Sequence, residues 1–120
     1  MDRPSMRPEQ REALLLFAET LRKHYGQRLG DVVVFGSRAR GDHREDSDVD
    51  VAVVLADDGF DFWVEKLKLI DLSHEAFFDH DLMIQAWPIA KSVWSDPALH
   101  TSPGFVREAR RDARPIGEAA

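Results

Sequence analysis

Residues 32–50 read VVVFGSRARGDHREDSDVD, which is an apolar run, a glycine–serine pair, a polar stretch and an acidic triplet. The apolar run 32–35 predicts a strand, and Gly36 and Ser37 follow it directly. A glycine–serine pair that leaves a strand and opens a helix presents free backbone N–H groups, which attract the oxygens of phosphate groups. This part of the stretch therefore predicts a phosphate-binding turn.

The acidic triplet Asp48-Val49-Asp50 begins a second apolar-rich run, 48–55. Alternate residues of a strand share one face, so the carboxylates of Asp48 and Asp50 are expected to point at the same spot. Two like charges held together cost free energy unless a cation or a proton lies between them. Because hard oxygen ligands suit Mg²⁺ that is shared with substrate phosphates, the triplet predicts a metal site facing the phosphate-binding turn.

Length and composition limit the class of protein to which these two predicted sites can belong. The 120 residues have room for one domain, 1–120, with one hydrophobic core, and their net charge of −6 makes the chain as a whole a poor ligand for nucleic acid. The chain has no cysteine, which excludes a disulfide framework and a thiolate zinc site. No apolar stretch approaches the ~18 residues of a membrane span, and the start does not resemble a signal peptide. We therefore expect a cytoplasmic protein without membrane contact.

Hydrophobic periodicity predicts helices around a small sheet. Helices are expected at 8–25, 37–40, 62–78 and 104–114, strands at 31–35, 48–55 and 81–87, and a loop at 41–47. Pro88 is expected to end the third strand, because proline cannot donate a backbone hydrogen bond to a neighbouring strand.

Asp81 opens the third predicted strand. If that strand lies beside the second one, its carboxylate joins Asp48 and Asp50 in a three-carboxylate site that holds two metals for in-line displacement at phosphorus. Sequence alone does not establish this adjacency. Asp79 is the alternative third carboxylate, because it lies two positions earlier on the same nominal face.

The five histidines have no spacing typical of a ligand set. The tryptophans Trp63, Trp87 and Trp94 are interpreted as anchors of a core or an interface. The acidic balance of the chain argues against a base-stacking platform at these positions.

Two segments together resemble the signature of the DNA polymerase β-type nucleotidyltransferases. They are Gly36-Ser37-Arg38-Ala39-Arg40-Gly41 and Ser47-Asp48-Val49-Asp50-Val51. Within that superfamily the chain is most similar to the minimal nucleotidyltransferases, and the similarity extends over nearly its whole length in element order. The resemblance implies a polymerase β-like fold of the α/β (α+β) class, with a small mixed sheet of three or more strands flanked by helices.

The resemblance also implies a role for each site residue. Gly36 and Ser37 would hold the triphosphate of ATP or another nucleotide, Asp48 and Asp50 would bind two Mg²⁺ ions, and Asp81 would complete the metal site. The implied reaction is attack of a hydroxyl on the α-phosphate with release of pyrophosphate. It depends on positioning and on neutralisation of charge.

Arg38 and Arg40 follow the glycine–serine pair directly. There a guanidinium can pair with phosphate oxygens or with an acidic partner. The alternative for each arginine is a solvated surface charge.

Minimal nucleotidyltransferases of this kind are commonly antitoxins. The resemblance thus implies a HEPN-domain ribonuclease toxin as the partner in a hetero-oligomer, with a tyrosine hydroxyl of the toxin as the acceptor of AMP. Two alternatives stay open: a small-molecule nucleotidyltransferase of the aminoglycoside-modifying type, and a non-catalytic antitoxin that neutralises its toxin by binding. The short chain disfavours the first, and acidic residues at all three carboxylate positions disfavour the second.

Overall fold

The computed structural model describes residues 7–36, 48–74, 76, 79 and 82–116. Its α-helices are α1 Pro8–Tyr25, α2 Phe62–Leu72, α3 Lys91–Ser95 and α4 Pro103–Asp112. Its strands are β1 Leu29–Phe35, β2 Val49–Leu55, β3 Ile84–Ala90 and β4 Arg114–Pro115, and single 3₁₀ turns occupy Gly26–Arg28 and Pro97–Leu99. No helix within these ranges is long and apolar enough to cross a membrane.

Helix α1 has the bounds that the sequence predicts. Proline at its first position is compatible with a helix start, and Gly26, with φ of +55°, follows its last residue. Leu14 and Leu21 on its inner stripe are completely buried. The amphipathic pattern thus predicts correctly the face by which α1 packs on the sheet.

The strands form one mixed sheet in the order β3-β2-β1-β4. Strand β1 is antiparallel to β2 and to β4, whereas β2 and β3 are parallel. The predicted fold class, a small mixed sheet flanked by helices, is confirmed. The adjacency of the second and third strands, which the sequence left open, is also established.

Helices cover both faces of the sheet. On one face α1 and α2 pack over an apolar cluster that includes Val49 and Val51. On the other face α4 packs over a smaller cluster that includes Phe35 and Ala52. Every residue of β2 is buried except Asp50, which is partly exposed. A carboxylate therefore interrupts an otherwise buried central strand.

The predicted bounds of the third strand are wrong. Strand β3 begins at Ile84 instead of Asp81, and it continues through Pro88 to Ala90. Proline is tolerated because β3 lies at the edge of the sheet, where one side of the strand needs no backbone donor.

Other predicted bounds change less. Helix α2 ends at Leu72, where Ser73 follows as the C-cap, rather than at 78. The last helix spans Pro103–Asp112, and the chain then returns to the sheet as β4 beside β1. The predicted short helix 37–40 and loop 41–47 lie outside the described residues.

Candidate functional site

Gly36 and Asp50 approach each other where β1 ends. Phe35, the last residue of β1, pairs with Asp50 on β2, and Gly36 follows with φ of +75°. A Cβ atom built on Gly36 would lie 2.8 Å from the Oδ2 atom of Asp50. Glycine is needed here for two reasons. Residues with a side chain rarely adopt this backbone conformation, and a methyl group would collide with the carboxylate.

Asp48 and Asp50 flank a residue of the core. Val49 lies between them and is completely buried against α1 and α2. Asp48 is exposed directly before the strand, and Asp50 is partly exposed at its second position. The alternation of the strand thus directs Asp50 away from the Val49 face, as the sequence predicts.

Strand β3 brings further groups beside Asp50. The backbone N–H of Val49 donates to the Met83 carbonyl oxygen at 2.9 Å, and Gln85 is the register partner of Asp50. The sequence prediction did not identify Gln85, because its relation to Asp50 depends on the parallel register.

The predicted third carboxylate lies outside the described residues, because Asp81 is among those that the structure does not describe. Its alternative, Asp79, is exposed and helical and lies before β3. The interpretation of Asp79 as a residue on the same strand face is therefore wrong. Ser37, Arg38 and Arg40 also fall outside the described ranges.

Lys66 of α2 places a buried positive charge near the site. Its ammonium donates to the Ala86 carbonyl oxygen at 2.5 Å and lies 3.9 Å from the centroid of the Trp87 ring. Burial lowers the pKa of Lys66, and the negative charge of Asp50 only partly opposes that change. Lys66 was not predicted, although its spacing from buried Leu69 puts it on the inner face of α2.

Phe105 of α4 packs over the sheet beside the site. Its ring contacts Phe35 edge-on at a centroid distance of 5.6 Å and Trp87 at 5.7 Å. Since Phe35 pairs with Asp50 and Trp87 pairs with Ala52, this aromatic group lies on the same face of the sheet as Asp50. The helix that carries Phe105 was predicted, but its contacts were not.

A polar network lies at the opposite end of these strands. The Tyr25 hydroxyl donates to Glu65 Oε2 at 2.8 Å, and Arg28 donates to Glu65 Oε1 at 3.2 Å and to Asp57 Oδ1 at 3.0 Å. Burial would raise the pKa of Glu65, but the hydrogen bonds from Tyr25 and Arg28 outweigh it, so the pKa is lowered. This network joins the end of α1, the 3₁₀ turn Gly26–Arg28, α2 and the segment after β2, and it is structural.

The donor set around Asp50 suits a hard divalent cation. Asp48 and Asp50 supply carboxylate oxygens, and the bare Gly36 surface leaves space against Oδ2 that any side chain would fill. Within the ranges described, no group of three or more His, Cys, Asp or Glu side chains is assembled that would hold a metal. In the described part of the site, the Asp50 carboxylate thus lies beside the Gly36 turn, and Asp48 is exposed two residues earlier in the chain.

Comparison with known proteins assigns this arrangement to a family. The family model described as a nucleotidyltransferase domain matches residues 15–96, which include β1, β2 and β3. The chain belongs to the nucleotidyltransferase domain family. The predicted resemblance is confirmed at this level, and the protein is a nucleotidyltransferase.

Individual relatives agree with this assignment. A Methanocaldococcus jannaschii protein that is provisionally named a protein adenylyltransferase is 33% identical over 75 residues, which cover 62% of this chain and 68% of the relative. A provisionally named nucleotidyltransferase from Sulfolobus solfataricus has a TM-score of 0.51 at 19% identity, over 72% of this chain and 76% of its own. The latter similarity establishes the fold alone.

A crystal structure of a toxin–antitoxin with AMP-PNP also matches in part. Its TM-score is 0.49 at 17% identity, over 84% of this chain and 70% of its own. A TM-score below 0.5 does not establish a shared fold, and we conclude nothing from this similarity.

Proposed function

We propose that this nucleotidyltransferase moves AMP from ATP to a hydroxyl group of a protein. The observation that carries this proposal is the partly exposed Asp50 carboxylate, packed against Gly36 in an otherwise buried strand. Packing of the core does not account for a carboxylate at this position, because all other residues of β2 are buried and apolar, and this favours a functional role. The provisional name of the Methanocaldococcus jannaschii relative supports a protein as the acceptor.

In the proposed site Asp48 and Asp50 hold two Mg²⁺ ions together with Asp81, and the backbone at Gly36 and Ser37 receives the triphosphate. When bound, Mg²⁺ neutralises the phosphates and lowers the pKa of the acceptor hydroxyl. Arg38 and Arg40 supply guanidinium groups for phosphate oxygens. Except for Gly36, Asp48 and Asp50, these residues lie outside the described part of the chain.

The proposed reaction is a single in-line displacement. The acceptor oxygen forms a bond to the α-phosphorus, the bond from that phosphorus to the bridging oxygen breaks, and pyrophosphate leaves. The proton of the hydroxyl passes to Asp81. Asp50 contributes by position, because its pairing with Phe35 places its carboxylate beside the turn at Gly36.

The acceptor we propose is a tyrosine hydroxyl of a HEPN-domain toxin, so that the protein acts as an antitoxin in a complex with its target. The resemblance of the chain to the minimal nucleotidyltransferases, which are commonly antitoxins, supports this choice. A toxin silenced by modification needs the carboxylates, whereas one silenced only by being covered does not.

Intact-mass spectrometry tests the proposal. A candidate HEPN partner is incubated with the protein, Mg²⁺ and each of the four ribonucleoside triphosphates in turn. We expect the partner to gain one or more AMP masses with ATP, and the gain to disappear with Asp50→Asn. The matched control is Asp71→Asn, which removes an exposed carboxylate from α2 and leaves the gain intact.

The same experiment separates the two alternatives. A stable complex with no mass gain, and full neutralisation by Asp48→Asn with Asp50→Asn, supports a non-catalytic antitoxin. Consumption of ATP that depends on an aminoglycoside, with no protein modified, supports a small-molecule acceptor.

A further inference from the structure

A cavity of about 280 Å³ lies beside the candidate site. Its aromatic walls are Phe62, Trp87 and Phe105, and the lining also includes Pro88, Ile89 and His100. Among the described residues that line it, none is an aspartate, glutamate, lysine or arginine. A cavity of this composition suits an uncharged, flat group.

The cavity lies on the same face of the sheet as Asp50. Trp87 pairs with Ala52, which is two residues beyond Asp50 on β2, so the two positions are separated by about 7 Å along the strand direction. Phe105 connects them, because its ring contacts both Trp87 and Phe35, the register partner of Asp50. The cavity therefore lies on the Asp50 face of the sheet, with the Phe105 ring between its Trp87 wall and the register partner of Asp50.

Contacts on several sides hold the Trp87 wall in place. The Lys66 ammonium lies over its ring, and the Phe105 ring meets it edge-on. Its buried indole N–H has no hydrogen-bond partner among the described residues. The wall is thus preformed, as ligand sites usually are.

His100 adds a polar group to the lining. Its Nδ1 accepts a hydrogen bond from the Ser102 backbone N–H at 2.8 Å. In the neutral imidazole the hydrogen therefore resides on Nε2, which can donate to a ring nitrogen or carbonyl oxygen of a ligand. Apolar walls with a few polar groups are typical of sites that bind heteroaromatic rings.

We propose that this cavity binds the base of the nucleotide, which is adenine if ATP is the substrate. The choice of adenine rests on the proposed function, but the cavity itself does not. Pockets that enclose whole ligands begin at about 300 Å³, so this one takes a ring system and leaves the phosphates at Asp50. The uncharged lining fits a base and disfavours a phosphate.

Distance favours the base over the ring of an acceptor tyrosine. A tyrosine hydroxyl is attached to its ring and must touch the phosphorus, so the ring would lie close to the carboxylates. A base is separated from the α-phosphate by the ribose, which matches a cavity whose Trp87 wall lies about 7 Å further along the strand direction than Asp50.

Adenosine is the probe that tests this site, because it carries the base and no phosphate and requires no Mg²⁺. Its binding to the full chain is measured by calorimetry, together with the binding of ATP and of inorganic tripolyphosphate. We expect saturable binding of adenosine, and tighter binding of ATP than of tripolyphosphate. The variants Phe105→Leu and Phe62→Leu each remove one aromatic wall and keep an apolar side chain.

Loss of one stacking partner should weaken binding of adenosine and ATP by roughly fivefold to 150-fold and leave tripolyphosphate unchanged. Phe60→Leu is the matched control, because this partly buried ring packs on the opposite face of the sheet. Thermal melting verifies that each variant is folded. Phe62 is 37% exposed, so its variant remains informative if Phe105→Leu is unstable.

Three outcomes would overturn the proposal. Adenosine fails to bind while ATP and tripolyphosphate bind equally; or Phe105→Leu, Phe62→Leu and Phe60→Leu change adenosine binding alike; or N-acetyl-tyrosinamide binds in the cavity and adenosine does not. Failure of the proposed function is a separate result, because adenosine binding by the aromatic walls requires no transfer of AMP.

Discussion

The Oδ2 atom of Asp50 lies 2.8 Å from the position that a Cβ atom on Gly36 would occupy. The antiparallel pairing of Phe35 with Asp50 produces this contact, because it delivers the next residue of the chain onto the carboxylate. The end of β1 and the start of β2 thus form one paired unit. The chemistry of the site depends on how precisely this unit is held.

Replacing Gly36 with alanine should damage the site and only moderately destabilise the fold. At φ of +75° an alanine backbone is strained, and its methyl group would also collide with the Asp50 carboxylate. Together these effects should lower the free energy of unfolding by about 1–3 kcal/mol. The displaced carboxylate should lower AMP transfer about 100-fold. Transfer assays and urea unfolding measure the two effects. Gly59→Ala is the control, since a Cβ there meets nothing within 4 Å; an equal loss in both variants would contradict this account.

Replacing Lys66 with methionine should reduce the Mg²⁺ concentration that the proposed reaction requires. The buried ammonium beside Asp50 repels a cation bound to that carboxylate, so its removal should strengthen Mg²⁺ binding roughly threefold to tenfold. Mg²⁺ titration of transfer activity measures the shift. Lys68→Met is the charge-matched control, because the side chain of Lys68 is 44% exposed and pairs with Glu65. An unchanged or increased Mg²⁺ requirement in Lys66→Met would show that the lysine does not oppose the metal.

Replacing Glu65 with glutamine should make the protein less sensitive to acid. Its lowered folded-state pKa means that this carboxylate stabilises the fold above its unfolded pKa, near 4.5, and that this contribution disappears as pH falls through the lower folded value. The free energy of unfolding, measured with urea at pH 7 and at pH 4, should therefore differ less between the two pH values for Glu65→Gln than for the unchanged protein.

The control for the acid experiment is Glu19→Gln, which removes an exposed carboxylate that pairs only with Lys23 among the contacts described for it. This variant should keep the full pH dependence. If the free energy of unfolding fell by the same amount between pH 7 and pH 4 in all three proteins, Glu65 would be excluded as a source of acid sensitivity.

Replacing Tyr25 with phenylalanine should reduce the loss of stability in alkali. Burial, with the hydrogen bond to Glu65, raises the pKa of the Tyr25 hydroxyl above its ordinary value of 10.0. Its contribution is therefore complete below pH 10 and is lost as pH rises toward the folded-state pKa. At neutral pH the variant should be about 1–3 kcal/mol less stable, because Glu65 loses a buried donor. Thermal unfolding at pH 8 and at pH 10.5 measures both effects, and a larger alkaline loss in the variant would contradict them.

Local patterns in the sequence determined the glycine that ends β1, the spacing of Asp48 and Asp50, and helix α1. Each depends on residues that are near one another in the chain: a glycine after an apolar run, the alternation of a strand, and apolar spacing bounded by Pro8 and Gly26. The family signature combines the first two and needs no knowledge of packing.

Only the tertiary structure decided which groups surround Asp50. The parallel register of β2 and β3 placed Gln85 beside it, and the packing of α2 and α4 brought Lys66 and Phe105 to the same end of the sheet. Position at the sheet edge likewise allowed β3 to continue through Pro88. Such relations join residues that are distant in the chain. The register and the packing are fixed by burial of apolar side chains on both faces of the sheet, and no local sequence pattern predicts them.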